Sequence, residues 1–453
     1  MISLTLAEIA RAVGGKLKGE DISVSSVSTD TRTITSGTLF IALIGENFDA
    51  HDFIEQAVIK GAAALIVSQK LQITTPHILV EDTRIALGKL GSMVHQLCKT
   101  PTVAITGSCG KTTVKEMLTS ILSQKGQVLF TQGNFNNDIG VPLTLLRAKP
   151  EDDFAVIELG ANHIGEIDYT TRLVNPDVAL VNNVAAAHLE GFGSIDGVMQ
   201  AKGEIYNGLK SGAVAVINLD SNGGQYWQDV LSDKTVKTVS MNDSKADYFA
   251  TNIQLNERGE ATFLMTTPIG ECVIQLSLVG QHNVANALSA ASLALEFGAS
   301  LEDVKSGLNQ LTKVSARAEV IELNKQIRLI DDSYNASVPA MKAAIDLLSN
   351  YRGKRWLILG NMAELGEESL ALHRQVGQHA APFRFDYVLT YGADAKVISD
   401  ESDGIHFCDH QSMIDFIQKQ LGHEKAQQQT LLVKGALSAG MSVVVKAIKE
   451  SFT

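Results

Sequence analysis

One glycine-rich segment constrains this chain more than any other part of its sequence. Residues 106–113 read TGSCGKTT, between the apolar, strand-like residues 103–105 and the helix-like residues 114–118. Glycine between a buried strand and a helix lets successive backbone N–H groups point at a phosphate, at the positive end of the helix dipole. Lys111 would neutralise phosphate charge, and the Thr112 hydroxyl would bind Mg²⁺. We therefore predict a phosphate-binding loop for ATP and Mg²⁺ rather than a simple tight turn.

The composition narrows the class of protein. A chain of 453 residues is long enough for three domains, and 45% hydrophobic with 19% charged residues is typical of a globular protein. The 38 Lys and Arg residues against 50 Asp and Glu residues give a net charge of −12. This charge provides no general attraction for nucleic acid or for an anionic membrane, so we expect neither partner.

Cysteine usage and the N-terminal residues predict a cytoplasmic protein. The four cysteines are scattered and form no C-x-x-C pair: Cys98, Cys109, Cys272 and Cys408. A disulfide or zinc framework is therefore not expected, and a reducing compartment fits best. No apolar run approaches the length of a membrane span, so we expect no membrane insertion. Thr5 and Glu8 have the spacing of a capping box that opens a short helix, which predicts a folded N-terminus rather than a signal peptide.

The alternation of strand-like and helix-like segments divides the chain into three parts. Residues 1–82 mix short strands and helices, which predicts a small α/β N-terminal domain. Residues 83–312 alternate as β-α-β units and turn strand-rich near 249–278, which predicts a central P-loop domain with a parallel sheet and added antiparallel strands. Residues 313–453 alternate again and predict a C-terminal, Rossmann-like, doubly wound α/β domain.

Three ionisable residues of the central part are candidates for the site. Glu158 follows the strand-like residues 154–157, and ligands of open α/β sheets bind beyond the carboxyl ends of strands. It is therefore a candidate Mg²⁺ ligand, and the alternative is an acid that caps a helix. His188 lies in a glycine-flanked turn after another strand and is either structural or functional. Lys202 has the spacing of a solvated helix lysine.

Two polar clusters also follow predicted strands. Residues 131–138 read TQGNFNND, and residues 331–335 read DDSYN. Crowded amide and hydroxyl groups suit the recognition of a sugar or a phosphate, but the same residue types also form ordinary turns. Asn283 and Asn286 lie near the start of a predicted helix, where capping is the simpler role for Asn283.

Taken together, these residues resemble the Mur ligases, and the resemblance covers nearly the whole chain. They occur in the order of that family, from the loop at 107–113 through Glu158, the His188 turn and Lys202 to QHNVAN at 281–286, Arg317 and DDSYN at 331–335. Similarity to the last ligase of the series rests on four further motifs: FDAHD at 48–52, ELGAN at 158–162, HLEGFG at 188–193 and MAELG at 362–366.

The resemblance implies an ATP-dependent amide ligase of cytoplasmic peptidoglycan precursor synthesis. Such an enzyme joins D-alanyl-D-alanine to UDP-N-acetylmuramoyl-tripeptide through an acyl phosphate, with ATP and Mg²⁺ as cofactors. The resemblance further implies that the N-terminal domain binds the UDP part, the central domain binds ATP, and the C-terminal domain binds the dipeptide. We expect the enzyme to be a monomer.

The resemblance also implies a role for each site residue. Four residues would be catalytic: Lys111, Glu158, His188 and Lys202. Metal ligands would come from Thr112, Glu158, His188 and an N-carbamylated Lys202. ATP would contact Gly107, Ser108, Cys109, Gly110, Lys111, Thr112, Thr113, Asn283, Arg317 and Asp332. The other substrates would contact Asp30, Thr31, Arg32, Asn47, Asp49, His51, Thr131, Asn134, Asn137, Asn162, Tyr334 and Asn335.

Other functions remain as alternatives. An earlier Mur ligase or a folylpolyglutamate synthetase would share the ATP site, although the Asp-Asn-Pro-Arg motif of a diaminopimelate-adding ligase does not occur in the sequence. A non-catalytic ATP-binding switch belongs to another class, but it would need no second metal site. Departures from the family pattern occur in the C-terminal part, at Ser315 and Ala316, at Asn361 and at Leu437.

Overall fold

The structure is a computed structural model that describes residues 1–311, 313–423 and 427–452. Its strands form three large sheets in successive parts of the chain and a small two-stranded sheet near the N-terminus. Because helices pack on the large sheets, the predicted three-domain α/β fold is confirmed. Among the described residues, no helix is both long enough and apolar enough to cross a lipid bilayer.

The N-terminal part is built on a five-stranded sheet. Its elements are β1 (Leu4–Thr5), α1 (Leu6–Val13), β2 (Lys16–Lys18), β3 (Ser23–Val24), β4 (Ser26–Ser28), β5 (Thr38–Ile41), a 3-10 turn (Ala50–Phe53), α2 (Ile54–Ile59), β6 (Ala62–Val67) and β7 (His77–Leu79). The strand order is β2-β7-β6-β5-β4, with β2 antiparallel to β7 and the other pairs parallel. Thr5 and Glu8 form the predicted capping box at the start of α1, which is therefore confirmed.

The central part is built on a nine-stranded sheet with the order β16-β15-β14-β13-β12-β11-β8-β10-β9. Its elements are α3 (Thr83–Cys98), β8 (Thr102–Thr106), α4 (Lys111–Leu122), β9 (Val128–Phe130), α5 (Gly140–Leu145), β10 (Phe154–Glu158), α6 (Glu166–Val174), β11 (Val178–Val181), α7 (Leu189–Phe192), α8 (Ile195–Gly203), β12 (Val214–Asn218), α9 (Gln228–Leu231), β13 (Thr235–Ser240), β14 (Tyr248–Leu255), β15 (Glu260–Thr267), β16 (Gly270–Val279), α10 (His282–Glu296) and α11 (Leu301–Gln310). Neighbouring strands from β9 to β14 are parallel, and β15 and β16 add the predicted antiparallel strands.

Parallel strands bring the candidate residues to one edge of the central sheet. Strand β8 lies between β10 and β11, where Glu158 pairs in register with Ile105, and Val181 pairs with Thr106. The apolar residues in the middle of these strands are buried, as expected for strands with helices on both faces. The phosphate-binding loop, Glu158 and Asn182 therefore leave the sheet at the same carboxyl-terminal edge.

The C-terminal part is built on a six-stranded sheet with the order β17-β18-β22-β19-β20-β21. Its elements are β17 (Glu319–Glu322), β18 (Ile327–Asp332), α12 (Val338–Ser349), β19 (Lys354–Gly360), α13 (Ser369–Ala380), β20 (Tyr387–Tyr391), α14 (Lys396–Glu401), β21 (Ile405–Phe407), α15 (His410–His423), β22 (Gln429–Lys434) and α16 (Ser442–Phe452). Strand β17 is antiparallel to β18, and the other pairs are parallel. Asp332 and Lys434 pair in register at the carboxyl-terminal edge.

The apolar core runs without a break from the N-terminal part into the central part. Helix α3 packs against α1 and against α5, and its Leu87, Leu90 and Val94 are fully buried in the shared core. A boundary near residue 82 therefore falls at the start of α3, a helix that packs against both the N-terminal and the central part. The division into residues 1–82, 83–312 and 313–453 stays a prediction, and residue 312 lies outside the described residues.

The same helix carries a histidine that makes stability depend on pH. His95 is 4% exposed, its Nε2 lies 2.9 Å from Thr102 Oγ1, and its Nδ1 has no hydrogen-bond partner among the described residues. Burial lowers the pKa of His95 from 6.5 to about 4. As the pH falls, the unfolded chain therefore takes up the proton before the folded chain does. The free energy of unfolding decreases as the pH falls from 6.5 to about 4.

We expect His95→Gln to flatten this acid dependence. Glutamine does not titrate, and its amide N–H₂ replaces the donor to Thr102. Urea unfolding at pH 7.0, 5.5 and 4.5 should give a smaller loss of unfolding free energy for the variant, by roughly 1 kcal/mol for each pH unit. Parallel curves for the two proteins would exclude His95 as a source of acid sensitivity.

Candidate functional site

Backbone geometry at the predicted phosphate-binding loop requires glycine. The loop joins β8 to α4, and both Gly107 and Gly110 have positive φ, at 150° and 78°. A Cβ on Gly110 would lie 2.6 Å from Asn286 Oδ1 and 2.7 Å from Asn182 Nδ2. The loop is therefore held by two asparagines from behind, which leaves its open side for a ligand.

Lys111 lies at the first turn of α4 and folds over the loop. Its Nζ donates to the carbonyl oxygen of Gly107 at 2.7 Å. Desolvation lowers the pKa of Lys111, and the nearby Glu158 carboxylate opposes this shift while Arg317 adds to it. The amino group of Lys111 thus lies directly beside the glycine loop, at the position that a phosphate-binding lysine needs.

Glu158, at the end of β10, places a carboxylate beside this loop. It is 2% exposed, and its two carboxylate oxygens accept from Thr112 Oγ1 at 3.0 Å and from Asn136 Nδ2 at 2.9 Å. Its backbone N–H donates to Thr131 Oγ1 at 2.9 Å. The carboxylate accepts from the side chains of Thr112 and Asn136 and not from a backbone N–H of α4, so capping does not explain Glu158.

The donors at this position fit Mg²⁺. Thr112 and Glu158 supply neighbouring oxygen atoms, and oxygen is the donor that Mg²⁺ prefers. Among the described residues, no group of three or more His, Cys, Asp or Glu side chains is placed to hold a metal. One or two protein ligands completed by substrate phosphates are the usual set for Mg²⁺, so the residues present fit a metal that arrives with ATP.

Lys202 is buried, so its interpretation as a solvated helix lysine is wrong. It lies on α8 with 1% of its surface exposed, and its Nζ lies 5.1 Å from the centre of the Phe192 ring. Desolvation, reinforced by the charge of Lys111, lowers the pKa of Lys202 to about 7. Within the described residues no carboxylate forms an ion pair with it.

His188 lies between Lys202 and the C-terminal part. It has a left-handed backbone (φ 54°) just before α7, and its ring contacts the edge of Phe192 at a centroid distance of 6.4 Å. Desolvation and the charge of Lys111 lower the pKa of His188, whereas Glu364 opposes the shift. Its Nδ1 forms a hydrogen-bonded ion pair with the Glu364 carboxylate.

Arg317 reaches from the C-terminal part onto the phosphate-binding loop. Its Nη2 donates to Thr112 Oγ1 at 3.1 Å, and its guanidinium group lies 4.4 Å from the centre of the Tyr334 ring. A second contact between these parts joins Cys109 Sγ and Ser337 Oγ at 2.9 Å. The loop is therefore covered by residues of another domain.

Asp332 is paired with a lysine that the sequence analysis did not select. Lys434 Nζ donates to Asp332 Oδ2 at 2.7 Å and to the carbonyl oxygen of Asn335 at 2.9 Å. The other Asp332 oxygen accepts the N–H of Ala318 at 3.1 Å. This network fixes the chain on both sides of Tyr334, next to the loop.

Two cavities meet at the phosphate-binding loop, and both include Cys109, Gly110, Arg317 and Lys434 in their lining. The first has a volume of about 450 Å³ and extends along Asn134, His188, Tyr334, Asn335, Glu364 and Leu437. The second has a volume of about 310 Å³ and extends along His282, Asn283, Asn286 and Asp332. The two cavities therefore extend in different directions from the loop, and each is large enough to hold part of a ligand.

Asn283 does not cap a helix through its side chain. It is buried in the first turn of α10, where Nδ2 donates to the carbonyl oxygen of Val279 at 2.8 Å and Oδ1 accepts from Asn286 Nδ2 at 2.9 Å. Its neighbour His282 lines the same cavity, and burial lowers the pKa of His282. Asn283 thus shapes the wall of the second cavity.

The predicted substrate residues of the N-terminal part line neither cavity. Asp30 and Arg32 form an exposed ion pair at 2.7 Å, Thr31 Oγ1 donates to Gln56 Oε1 at 3.0 Å, and Asn47 is exposed. These residues mark a separate surface of the molecule.

His51 is buried in the same domain, and both of its ring nitrogens are used. Nδ1 lies 2.5 Å from Asp49 Oδ1, and Nε2 accepts the N–H of Ser68 at 3.0 Å. Neither nitrogen is free for a ligand, so His51 organises the loop that carries Asn47.

The remaining predicted contacts are dispersed. Asn134 lines the first cavity, whereas Thr131 is fully buried against Glu158. Asn137 Oδ1 accepts the N–H of Gly140 at the start of α5, at 2.8 Å, which is a turn-forming role. Asn162 donates its backbone N–H to Glu166 at 2.8 Å and lies on the exposed side of the loop after β10.

Asn182 and Asn183 are functional candidates that sequence reasoning missed. They follow β11 directly, so the strand-end rule that selected Glu158 would have found them. Asn183 Oδ1 accepts the N–H of Cys109 at 2.8 Å, and the Nδ2 atoms of both asparagines donate to the Cys109 carbonyl oxygen at 3.0 Å. They hold the shape of the phosphate-binding loop.

Comparison with known proteins agrees with this architecture. Three family profiles match the chain: "Mur ligase family, catalytic domain" at residues 23–95, "Mur ligase middle domain" at 105–294 and "Mur ligase, glutamate ligase domain" at 316–437. The UDP-N-acetylmuramoyl-tripeptide–D-alanyl-D-alanine ligase of Escherichia coli (strain K12) is 49% identical over 454 residues, which cover 100% of both chains.

The chain belongs to the Mur ligase family. Solved structures similar to this Mur ligase include MurF from Acinetobacter baumannii, with 34% identity, a TM-score of 0.95 and 99% of each chain covered. MurF ligase from Thermotoga maritima in complex with ADP has 26% identity and a TM-score of 0.85, and the match covers 94% of this chain and 97% of that one. The Mur ligase resemblance stated from the sequence motifs is thus confirmed.

Proposed function

We propose that this Mur ligase joins D-alanyl-D-alanine to UDP-N-acetylmuramoyl-tripeptide with hydrolysis of ATP, in peptidoglycan precursor synthesis. The observation that carries the proposal is that Thr112 contacts both Glu158 and Arg317, next to Lys111 and to the loop residues Cys109 and Gly110 that two cavities share. A relative that bears the name of this activity is 49% identical over the full length. The proposed enzyme acts as a monomer in the cytoplasm, where ATP and the nucleotide-linked substrate are present.

The chemistry is the activation of a carboxylate. A terminal carboxylate oxygen of the tripeptide attacks the γ-phosphorus of ATP, which forms an acyl phosphate and releases ADP. The free amine of the dipeptide then attacks the acyl carbon and loses a proton, and the C–O bond to phosphate breaks. Negative charge accumulates on oxygen in both steps, so Lys111 and Arg317 stabilise these states best when fixed beside the phosphates.

Mg²⁺ would be held by Thr112, Glu158, His188 and a carbamylated Lys202. When bound, the metal neutralises phosphate charge and orients the oxygens for in-line transfer. The burial of Lys202 beside Lys111 supports its carbamylation, because burial and the neighbouring charge favour the neutral amine that reacts with CO₂, and the carbamate places a negative charge beside Lys111. The neutral amine attacks the carbon of CO₂, the new N–C bond forms, one proton is released, and the product is an anionic oxygen ligand. Starting from the protonated amine, two protons are released in total.

The three substrates would bind to different domains. The UDP part would bind residues 1–82 near Arg32 and Asn47, ATP would bind residues 83–312 at the loop, and the dipeptide would bind residues 313–453 near Tyr334 and Asn335. The two cavities at the loop would take the adenosine side of ATP and the reacting peptide ends. Closure of the domains around them would exclude water from the acyl phosphate.

Phosphate release tests the proposal. With ATP, Mg²⁺, UDP-N-acetylmuramoyl-tripeptide and D-alanyl-D-alanine together, we expect steady release of phosphate, and omission of any one component should stop turnover. Turnover with glutamate or with diaminopimelate in place of the dipeptide would favour a folylpolyglutamate synthetase or an earlier Mur ligase. ATP binding without turnover in every mixture would favour a non-catalytic switch.

Substitutions at the two ends of the molecule should affect different substrates. Arg32→Ala is expected to raise KM for the UDP substrate several-fold and leave KM for the dipeptide unchanged, because contacts to non-reacting groups contribute uniform binding. Asn335→Ala should do the reverse, since Asn335 is exposed in the first cavity. Steady-state kinetics with each substrate varied in turn provide the measurement. Loss of nucleotide affinity alone in Asn335→Ala would reverse the assignment of the domains.

A further inference from the structure

The C-terminal domain contacts the proposed metal site through the loop of residues 361–366. Glu364 in this loop forms the ion pair with His188 Nδ1, and its carbonyl oxygen accepts the N–H of Glu190 at 3.1 Å. The next turn of the loop lies close to the same backbone, because a Cβ on Gly366 would be 3.6 Å from Glu190 Cα. Side chain and backbone of the C-terminal domain thus hold one short segment of the central domain.

The 361–366 loop is itself fixed from behind. Asn361 Oδ1 accepts the N–H of Ala395 at 2.7 Å, and its carbonyl oxygen accepts the N–H of Ala436 at 2.8 Å. The N–H of Met362 donates to His373 Nε2 at 2.9 Å. The carboxylate of Glu364 is therefore presented on a rigid part of the C-terminal domain.

Both partners of the ion pair have unusual backbone conformations. His188 has φ 54° and Glu364 has φ 59°, in the left-handed region that residues other than glycine rarely adopt. Such strain persists where the surroundings determine it, and it concentrates at functional sites. Leu189, next to His188, packs on the apolar core of the C-terminal domain, which provides this constraint.

We infer that Glu364 is the positioning residue of His188, so that docking of the C-terminal domain orients the imidazole for metal binding. A carboxylate that accepts from one ring nitrogen fixes the tautomer and the plane of the ring and makes the other nitrogen a better ligand. No described residue forms a hydrogen bond with His188 Nε2, and the imidazole contacts the Phe192 ring, over which Lys202 Nζ lies. The inference rests on the proposed function, in which His188 is a metal ligand.

Metal affinity measured apart from turnover tests the inference. Mn²⁺ binding to the full chain with ADP, followed by electron paramagnetic resonance, should be about 10- to 100-fold weaker in Glu364→Ala. Glu364→Gln keeps an oxygen acceptor for Nδ1 and should recover most of the affinity. Glu367→Ala, an exposed carboxylate just beyond the 361–366 loop, is the matched control and should bind as wild type.

A double-mutant cycle separates positioning from a general effect on the fold. If Glu364 acts through His188, Glu364→Ala should add nothing to the loss caused by His188→Ala. Additive losses, or wild-type Mn²⁺ affinity in Glu364→Ala, would overturn the inference while the proposed function stands. Absence of ligation by the wild-type chain would instead refute the proposed function, and the inference with it. Melting temperatures of all variants show whether each one is folded.

Discussion

Replacement of Lys111 by alanine is expected to reduce phosphate release by at least about 100- to 1,000-fold while the protein stays folded. Lys111 supplies a cation beside the glycine loop, and loss of one preorganised donor to a developing oxyanion has an effect of this size. The side chain is partly buried and carries a lowered pKa, so its removal relieves desolvation and should not lower the melting temperature.

The matched control for this variant is Lys125→Ala, an exposed lysine just beyond the end of α4. It has the same change of charge and should keep wild-type turnover. Phosphate release and melting temperature are measured for both variants. Turnover of Lys111→Ala within a few-fold of wild type would refute the assignment of the phosphate-binding loop.

Replacement of Lys202 by alanine is expected to have the second-largest effect. If the carbamate is a metal ligand, its loss should reduce turnover by about 100-fold, and added acetate or propionate should restore part of the activity. A free carboxylate can occupy the space left by the side chain and supply the missing oxygen ligand. The matched control is Lys210→Ala, at an exposed lysine in the following loop. It should keep wild-type turnover, and added acetate or propionate should not change that turnover.

The carbamate can also be detected directly. Wild-type protein in bicarbonate buffer labelled with ¹³C should show a carbamate carbonyl signal by NMR, and Lys202→Ala should lack it. Absence of the signal in the wild type, together with full activity of Lys202→Ala, would exclude the carbamate. A carboxylic acid that stimulates the wild type as strongly as the variant would exclude specific rescue.

Residues at strand ends were the most predictable part of the site. The loop at 106–113 and Glu158 each follow a short apolar segment, and parallel strands bring their carboxyl ends to one edge of the sheet. That rule needs only the local sequence, so it predicted both the fold of the central domain and the neighbourhood of Thr112 and Glu158. Applied without exception, it would also have selected Asn182.

Residues whose environment comes from tertiary packing were not predictable by pattern. Lys202 has the spacing of a solvated lysine, but packing of α8 against the core removes it from water. His188 and Glu364 are 176 residues apart in the sequence, so a local pattern of residues cannot predict their contact. His51 is a related case: the family resemblance implies a substrate contact, which stays a prediction, and tertiary packing engages both ring nitrogens within the protein.

An isotope-transfer experiment tests the central claim most directly. UDP-N-acetylmuramoyl-tripeptide labelled with ¹⁸O in its terminal carboxylate is incubated with ATP, Mg²⁺ and D-alanyl-D-alanine, and mass spectrometry follows both products. The account predicts a product equal in mass to the two substrates less one labelled water, and phosphate that carries one ¹⁸O atom from the carboxylate. Amide product with unlabelled phosphate, or labelled phosphate without the amide, would contradict it.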